Sequence, residues 1–555
     1  MRLILSLVLL LAVTVFARSR RSQLRRTLDN RVNIWPHPSA VETLGNSAAV
    51  VKDNASFKIT LKVPISPTED DILQDAFNRF KEITFYEKLE AVPQTICQRD
   101  VVCVESVVFD IKSSAPSLSD SLGSHNESYS ITIKEENTIY VSAPTIWGGL
   151  HALETLSQMI QIESRSEVQV YSFVGFTIPL KIVDSPRFSW RGLLVDTSRH
   201  YISVPKMRQI IDSLTYIKMN VLHWHIVDSD SFPVFIPDYP ELSGKGAYST
   251  KAIYTQQDVE SLVDYAYRRG VNIVFEFDMP GHTVSWGAGI PEIMAKCPSL
   301  EPIMNPTVDK TYEVIDAVFA YVKKVTKNSY IHIGGDEIAT QCWKADKQIQ
   351  QWMKQKGYSS VDELLSYFER RVLDLLKKHS LSANVWEEVL LNYNQSVVQL
   401  PKDTVVTAWT TIDKLPKIIK AGYPSILSAG WYLDQQNPNN VHHYSWVDTW
   451  ISFYNIEPYS IANFTQEEKK LLIGGEACMW GEAVDDINFD SRVFPRVLAV
   501  AERLWSKEEM KQVDGITRNR INHHRCNMVR RGVQAGPVSS GYCDASYTFK
   551  KMSWQ

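Results

Sequence analysis

The sequence predicts an α/β protein, a (β/α)8 TIM barrel that carries the catalytic residues, preceded by a smaller α+β domain. Short β-branched runs alternate with segments of helical apolar spacing over roughly 340 residues, as a (β/α)8 barrel requires. Before them, strand-like runs surround two helical segments, the mark of a separate α+β unit. The chain divides near residues 180–187. A doubly wound open sheet is the alternative for the larger part.

Taken in order, Met1-Arg2 and the apolar stretch 3–16 ending at Ala17 read as a secretory signal peptide, residues 1–17. The basic run that follows, within residues 18–30, is either a processing site or a solvated tail. The α+β domain is expected over 31–182. Residues 56–63, 129–134 and 138–142 alternate in the strand manner, and 70–88 and 147–160 have helical spacing. The barrel with a C-terminal extension is expected over 183–555. Its eight strand candidates are 193–196, 221–225, 272–277, 330–335, 383–386, 404–409, 425–428 and 471–476. Helical patterns at 205–218, 257–269, 312–326 and 361–379 lie between them.

The composition fits a folded globular chain. Apolar residues are 44% and charged residues 22% of the 555, which excludes a disordered or collagen-like protein. The net charge of −4 gives no basic footprint for nucleic acid. No later segment reaches about 18 uninterrupted apolar residues, so no transmembrane segment is expected in the mature chain. Asn54, Asn126, Asn394 and Asn463 begin N-glycosylation acceptors, and four of these behind a signal peptide point to the secretory pathway. Seven cysteines leave at least one unpaired. Spacing suggests Cys97–Cys103, Cys297–Cys342 and Cys526–Cys543, with Cys478 buried and free.

Barrel chemistry sits at the C-terminal ends of the strands. There the sequence places Asp336-Glu337 after Gly334-Gly335, and His223-Trp-His225-Ile-Val-Asp228. It also places Asp278-Met-Pro-Gly-His282, then Trp386, Trp409, Trp431-Tyr432-Leu-Asp434 and Trp480-Gly-Glu482. Two carboxyls in one pocket push their pKa values apart, so one can stay protonated as an acid, which suits glycoside cleavage. Flat aromatic walls with carboxylates between them suit a sugar ring. A divalent metal site built from His223, His225, Asp228, Asp278 and His282 is a rival reading. The blander one is histidines bonded to neighbouring carboxylates as support.

The segment His-Ile-Gly-Gly-Asp336-Glu337 resembles glycoside hydrolase family 20, the β-N-acetylhexosaminidases, most closely the lysosomal type. The likeness runs from Trp35-Pro36 through 147–158, 191–201 and 221–228 to 474–482 and 541–543. It implies an exo-β-N-acetylhexosaminidase that removes terminal β-linked GlcNAc and GalNAc with retention. The substrate's own acetamido oxygen would be the nucleophile, through an oxazolinium ion. By the resemblance, Glu337 is general acid and then base, and Asp336 orients the acetamido N–H. Tyr432 bonds the acetamido oxygen, Asp228 and His282 form a relay to Glu337, and Trp386, Trp409 and Trp480 wall the pocket. Arg191 and Glu482 bind the C3 and C4 hydroxyls and Asp434 an outer hydroxyl. The resemblance also implies a homodimer, a glycan partner, no cofactor and no metal, and a lysosomal, vacuolar or secreted location. Ser229 and Met279 depart from the usual pattern, which bears on the relay. Asp434-Gln435 resembles the subunit type that prefers neutral sugars. A sugar-binding, lectin-like protein on the same fold is the alternative function.

Overall fold

Pro67 occupies the first turn of a helix whose start is fixed by its neighbours on either side. The Ser66 hydroxyl accepts the Glu69 N–H at 3.3 Å, and the Glu69 carboxylate accepts the Ser66 N–H at 3.2 Å. This reciprocal cap satisfies two otherwise orphaned donors. The helix, Pro67–Thr84, buries Ile72, Leu73, Ala76, Phe77, Phe80 and Ile83. It packs on a second helix, Ile146–Met159, which is buried nearly all round.

The computed structural model describes residues 32–98, 100–112, 126–165, 167–392, 399–435, 449–508 and 513–543. The expected signal peptide, the basic run at 18–30 and the Asn394 acceptor lie outside the described residues. Two units are present. Of the described residues, one comprises those up to 112 with 126–185 and 513–527, and the other those from 186 to 508 with 528–543.

The first unit is built on a mixed sheet of nine strands. These are β1 (Ala40–Val51), β2 (Lys58–Leu61), β3 (Val101–Val104), β4 (Ser106–Ile111), β5 (Tyr129–Ile133), β6 (Thr138–Ala143), β7 (Ile160–Arg165), β8 (Val168–Phe173) and β9 (Ile178–Asp184). The order is β2-β4-β6-β5-β9-β1-β8-β7, with β3 beside β1. Sequence periodicity anticipates β2, β5 and β6 but misses the other six. In β1 the run Gly45-Asn46-Ser47 interrupts the apolar pattern. Its pairing with β9 carries a register shift between Thr43 and Ser47, and a Cβ on Gly45 would lie 2.2 Å from the Ile178 carbonyl oxygen. Close backbone approach, which only glycine allows there, outweighs local propensity.

The second unit is a closed barrel of eight parallel strands in sequential order. They are β10 (Trp190–Asp196), β11 (Val221–Val227), β12 (Asn272–Phe277), β13 (Tyr330–His332), β14 (Ser382–Trp386), β15 (Val405–Ala408), β16 (Ser425–Leu427) and β17 (Leu472–Met479). Each matches one strand expected from the sequence. The helices Val204–Thr215, Gln256–Tyr267, Asp309–Val325 and Val361–Lys378 match the four helical patterns.

The barrel interior is layered. At the N-terminal end of the strands Trp190, Val221, Val274, Val405 and Ile426 form an apolar plug. Above it, in strand register, Glu276 stands beside His225 on one side and His332 on the other, and His332 beside Asn384. All four are buried polar groups. Two disulfides, Cys97–Cys103 and Cys297–Cys342, are formed, Cys526 and Cys543 are also disulfide-bonded, and Cys478 is free and buried. Asn126 and Asn463 are exposed, and Asn54 lies half-buried in a turn. No described helix is long and apolar enough to cross a membrane.

A Cβ on Gly192 would lie 2.7 Å from Trp190 Nε1 and 2.8 Å from Glu476 Cβ, inside this packed interior. Gly192→Ala is therefore expected to destabilise the barrel by about 1–3 kcal/mol. The check is a lowered thermal unfolding midpoint; an unchanged midpoint contradicts the packing argument.

Candidate active site

Every residue of the site lies at or beyond the C-terminal end of a barrel strand. After β12 the chain runs Asp278, Met279, Pro280, Gly281 and His282; His282 has φ +55°. After β13, Gly334 and Gly335 have φ of +68° and +92°, and Glu337 +46°. This left-handed stretch, cheap for glycine and costly for Glu337, turns both carboxyl groups to the barrel mouth. The Gly335 N–H donates to Asp278 Oδ1 at 3.0 Å. A Cβ on Gly334 would fall 1.7 Å from that same oxygen.

The mouth holds a cavity of about 280 Å³. Asp336, Glu337, His282, Trp386, Trp409, Tyr432, Asp434, Trp480 and Glu482 line it, so the barrel brings together nearly all the residues expected from the sequence. Trp386 is the inner wall. Its ring centre is 6.3 Å from that of Trp409 and 6.0 Å from that of Trp480, and Trp409 stacks with Tyr432 at 6.3 Å. Asp336 Oδ1 and Tyr432 Oη are buried without a hydrogen-bond partner among the described residues. Buried polar atoms are rarely left so, and here both belong to residues lining a cavity.

Arg191 requires a correction. It is fully buried near the start of β10, donating from Nε to the Lys218 carbonyl and from Nη1 to the Phe188 carbonyl, each at 2.8 Å. Its guanidinium lies 5.0 Å over the Trp505 ring. A strand separates it from the mouth. The arginine that lines the cavity is Arg199, eight residues on. Arg199 pairs with Asp196 at 3.1 Å and Asp228 at 2.9 Å, and its guanidinium sits 5.2 Å over the Trp480 ring. The signal was available, because Arg199 follows the C-terminal end of the strand at Asp196 and Arg191 precedes it.

Asp228 and His282 lie in a series of close contacts that ends at Glu337. His282 Nδ1 meets Asp228 Oδ1 at 3.2 Å, and His282 Nε2 lies 3.6 Å from Glu337 Oε2 and 3.8 Å from Asp336 Oδ2. Behind Asp228, His225 Nε2 approaches Oδ2 at 2.8 Å. Although burial opposes its charge, His282 is held cationic far above the usual histidine range by Asp228, Glu337, Asp278 and Asp336. The two adjacent carboxyls are indeed driven apart. Glu337, exposed to water, is lowered chiefly by the neighbouring His282. Asp336 is raised, chiefly by burial. Asp278 is raised well above the carboxylate range by burial and by Asp336. Glu482 is raised by burial against the pull of Arg199. Burial also pushes Glu388, which accepts the Trp409 indole N–H at 2.9 Å, up to about 7.

Among the described residues, three groups could hold a metal ion by proximity: His223 with Glu276 and His332, Asp228 with Asp278 and His282, and His282 with Asp336 and Glu337. Of the donors in the rival metal reading, His225 and Asp228 are bound to other side chains. His223 and His225 both face Glu276, at 3.0 and 2.6 Å. Asp228 already meets His225, His282 and Arg199. This is the supporting arrangement of histidines and carboxylates.

Residues 188–508 match the glycosyl hydrolase family 20 catalytic domain, and residues 34–159 a domain described as beta-acetyl hexosaminidase like. The chain is 37% identical to the beta-hexosaminidase subunit beta of Felis catus over 530 residues, covering 93% of this chain and 94% of that protein. It is 36% identical to the subunit alpha of Bos taurus, covering 93% and 95%. Among solved structures it is similar to the Flavobacterium johnsoniae chitobiase, at 28% identity and a TM-score of 0.74, covering 91% of this chain and 73% of that one. With the barrel, the paired carboxyls and the tryptophan wall already in place, these matches show that the chain belongs to glycoside hydrolase family 20.

Proposed function

We propose that this protein is an exo-β-N-acetylhexosaminidase that removes terminal non-reducing β-linked GlcNAc and GalNAc from glycoconjugates. The observation that carries the reading is the pair of unpartnered buried oxygens, Asp336 Oδ1 and Tyr432 Oη, in a cavity walled by Trp386, Trp409 and Trp480. An acetamido group offers one N–H and one carbonyl oxygen. A carboxylate and a phenol hydroxyl are the complementary acceptor and donor. Burial keeps the Tyr432 phenol far above its ordinary pKa, so it remains a donor.

The chemistry follows from that seat. The Trp walls hold the acetamido group beneath C1, a proximity effect that can supply several kcal/mol. Its carbonyl oxygen attacks C1 as the glycosidic C–O bond breaks, and Glu337 gives its proton to the departing oxygen. Asp336 accepts the acetamido N–H and balances the positive charge of the oxazolinium. Water then attacks C1, Glu337 takes its proton, the ring opens and the β configuration is retained. The free site holds Glu337 ionised more readily than usual. A sugar that displaces water from Glu337 raises its pKa toward that of a working acid. Arg199 and Glu482 would bind the C3 and C4 hydroxyls, and Asp434 an outer one. The expected homodimer rests on the family resemblance, and the relatives' names as subunits are in keeping with an assembly of chains; the expected signal peptide supports a lysosomal, vacuolar or secreted location.

The direct test is turnover of 4-nitrophenyl β-GlcNAc. Wild type is expected to be active, and Glu337→Gln and Asp336→Asn to lose about 10²–10⁴-fold. Binding of the sugar without turnover would instead indicate a lectin. Arg199→Met is expected to cost kcat/KM about 10–100-fold through charged hydrogen bonds to the sugar, whereas Arg191→Met lowers the unfolding temperature and leaves KM unchanged. The reverse pattern would restore Arg191 to the site.

Activity requires protonated Glu337, so it falls as pH rises through that group's pKa. The His282 cation lowers this pKa. His282→Gln is therefore expected to move the alkaline limb of the kcat/KM profile to higher pH, besides lowering its height. A limb that stays in place or moves down contradicts the electrostatic role.

A further inference from the structure

One carboxylate in the barrel interior makes more contacts than burial alone demands. Glu276 is fully buried on β12. Its Oε1 accepts the Trp386 indole N–H at 2.8 Å and lies 3.0 Å from His332 Nδ1. Its Oε2 lies 2.6 Å from His225 Nδ1 and 3.0 Å from His223 Nε2. The strand register places Glu276 directly between His225 of β11 and His332 of β13. An isolated buried charge is expensive and persists only when paired and hydrogen-bonded. Here both oxygens are engaged, and the surrounding histidines hold the carboxyl well below its ordinary range against the effect of burial.

What these contacts reach matters more than their number. Through His225 the carboxylate joins the series Glu276–His225–Asp228–His282–Glu337, each link within 3.6 Å. Through its other oxygen it holds the indole that forms the inner wall of the sugar cavity. Glu276 touches neither the cavity nor any reacting atom, since it is absent from the cavity lining. A hydrogen-bonded partner behind a working group fixes its orientation and tautomer, as carboxylates do for histidines elsewhere.

Resting on the reading of Glu337 as general acid, we propose that Glu276 is a positioning residue for that acid, acting through His225 and Asp228 on His282. It fixes His225 with Nδ1 toward itself, so that Nε2 is presented to Asp228. Asp228 is then held in place to orient His282 beneath Glu337.

The test exploits the leaving group. A poor leaving group, the second sugar of N,N′-diacetylchitobiose, needs the proton from Glu337. A good one, 2,4-dinitrophenolate from its β-GlcNAc glycoside, does not. Glu276→Gln keeps an acceptor for Trp386 but removes the charge beside His225. It is expected to lower kcat/KM on chitobiose about 10–100-fold and on the dinitrophenyl glycoside less than about fivefold, the size of loss typical for a supporting partner. His225→Asn leaves Glu276 the Trp386 indole N–H and is expected to give the same skew. Glu337→Gln run alongside must show the largest skew; if it shows none, the reading of Glu337 fails first. A skew in Glu337→Gln with equal losses on both substrates, or none, in the other two variants overturns the positioning role alone. Failure of both to fold assigns Glu276 a purely structural role and also overturns it.

Discussion

The site depends on the close passage of the Gly334–Gly335 backbone over the Asp278 carboxyl. There is no room at Gly334 for a side chain, and the Gly335 N–H donates to the oxygen that would be struck. The ends of β12 and β13 are thereby locked edge to edge. One carries His282 and the other Asp336 and Glu337, so the cation and the two carboxyls can meet within 4 Å. A carboxylate beside this crossing would repel Asp336. Burial answers that by favouring a proton on Asp278, which lets the backbone contact and the paired acids coexist.

The electrostatics divide the two neighbouring acids by environment and not by type. Asp336 is nearly out of water, and Glu337 stands exposed to it beside a cation. In the free enzyme the buried acid is the one whose pKa rises. That sign suits a site in which the substrate supplies the nucleophile. On the proposed reading, the buried carboxyl accepts the acetamido N–H and the accessible one serves as the acid. The interior behind them is polar for a barrel core, with alternating histidines and carboxylates that hold one another's charge.

Much of this is legible in the sequence, and the reasons differ by element. The eight barrel strands are short, buried on both faces and rich in β-branched residues, so they stand out against the helices between them. The first unit's sheet is harder to read, because its strands gain stability from pairings distant in sequence. β1 pairs with β3, β8 and β9 and tolerates Gly45-Asn46-Ser47 for that reason. At the site, the carboxyls, tryptophans and Tyr432 are found because strand ends are where barrels keep their chemistry. The resemblance points to Arg191, the first arginine of the 191–201 segment, but that residue lies at the closed end of its strand and Arg199 at the mouth. Glu276 goes unread among its apolar neighbours Phe275 and Phe277, although a charge inside a buried strand signals a partner across the barrel.

The Cys297–Cys342 disulfide joins the segment that follows β12 to the helix that follows β13. Around it Ala295, Ile303, Trp343 and Ile349 form a small apolar core of their own, apart from the barrel plug. The excursions that bear His282 and Glu337 are thus one covalently closed module with its own interior. A change in either excursion is therefore passed to the other through this bond, and with it to the spacing of His282 from Glu337.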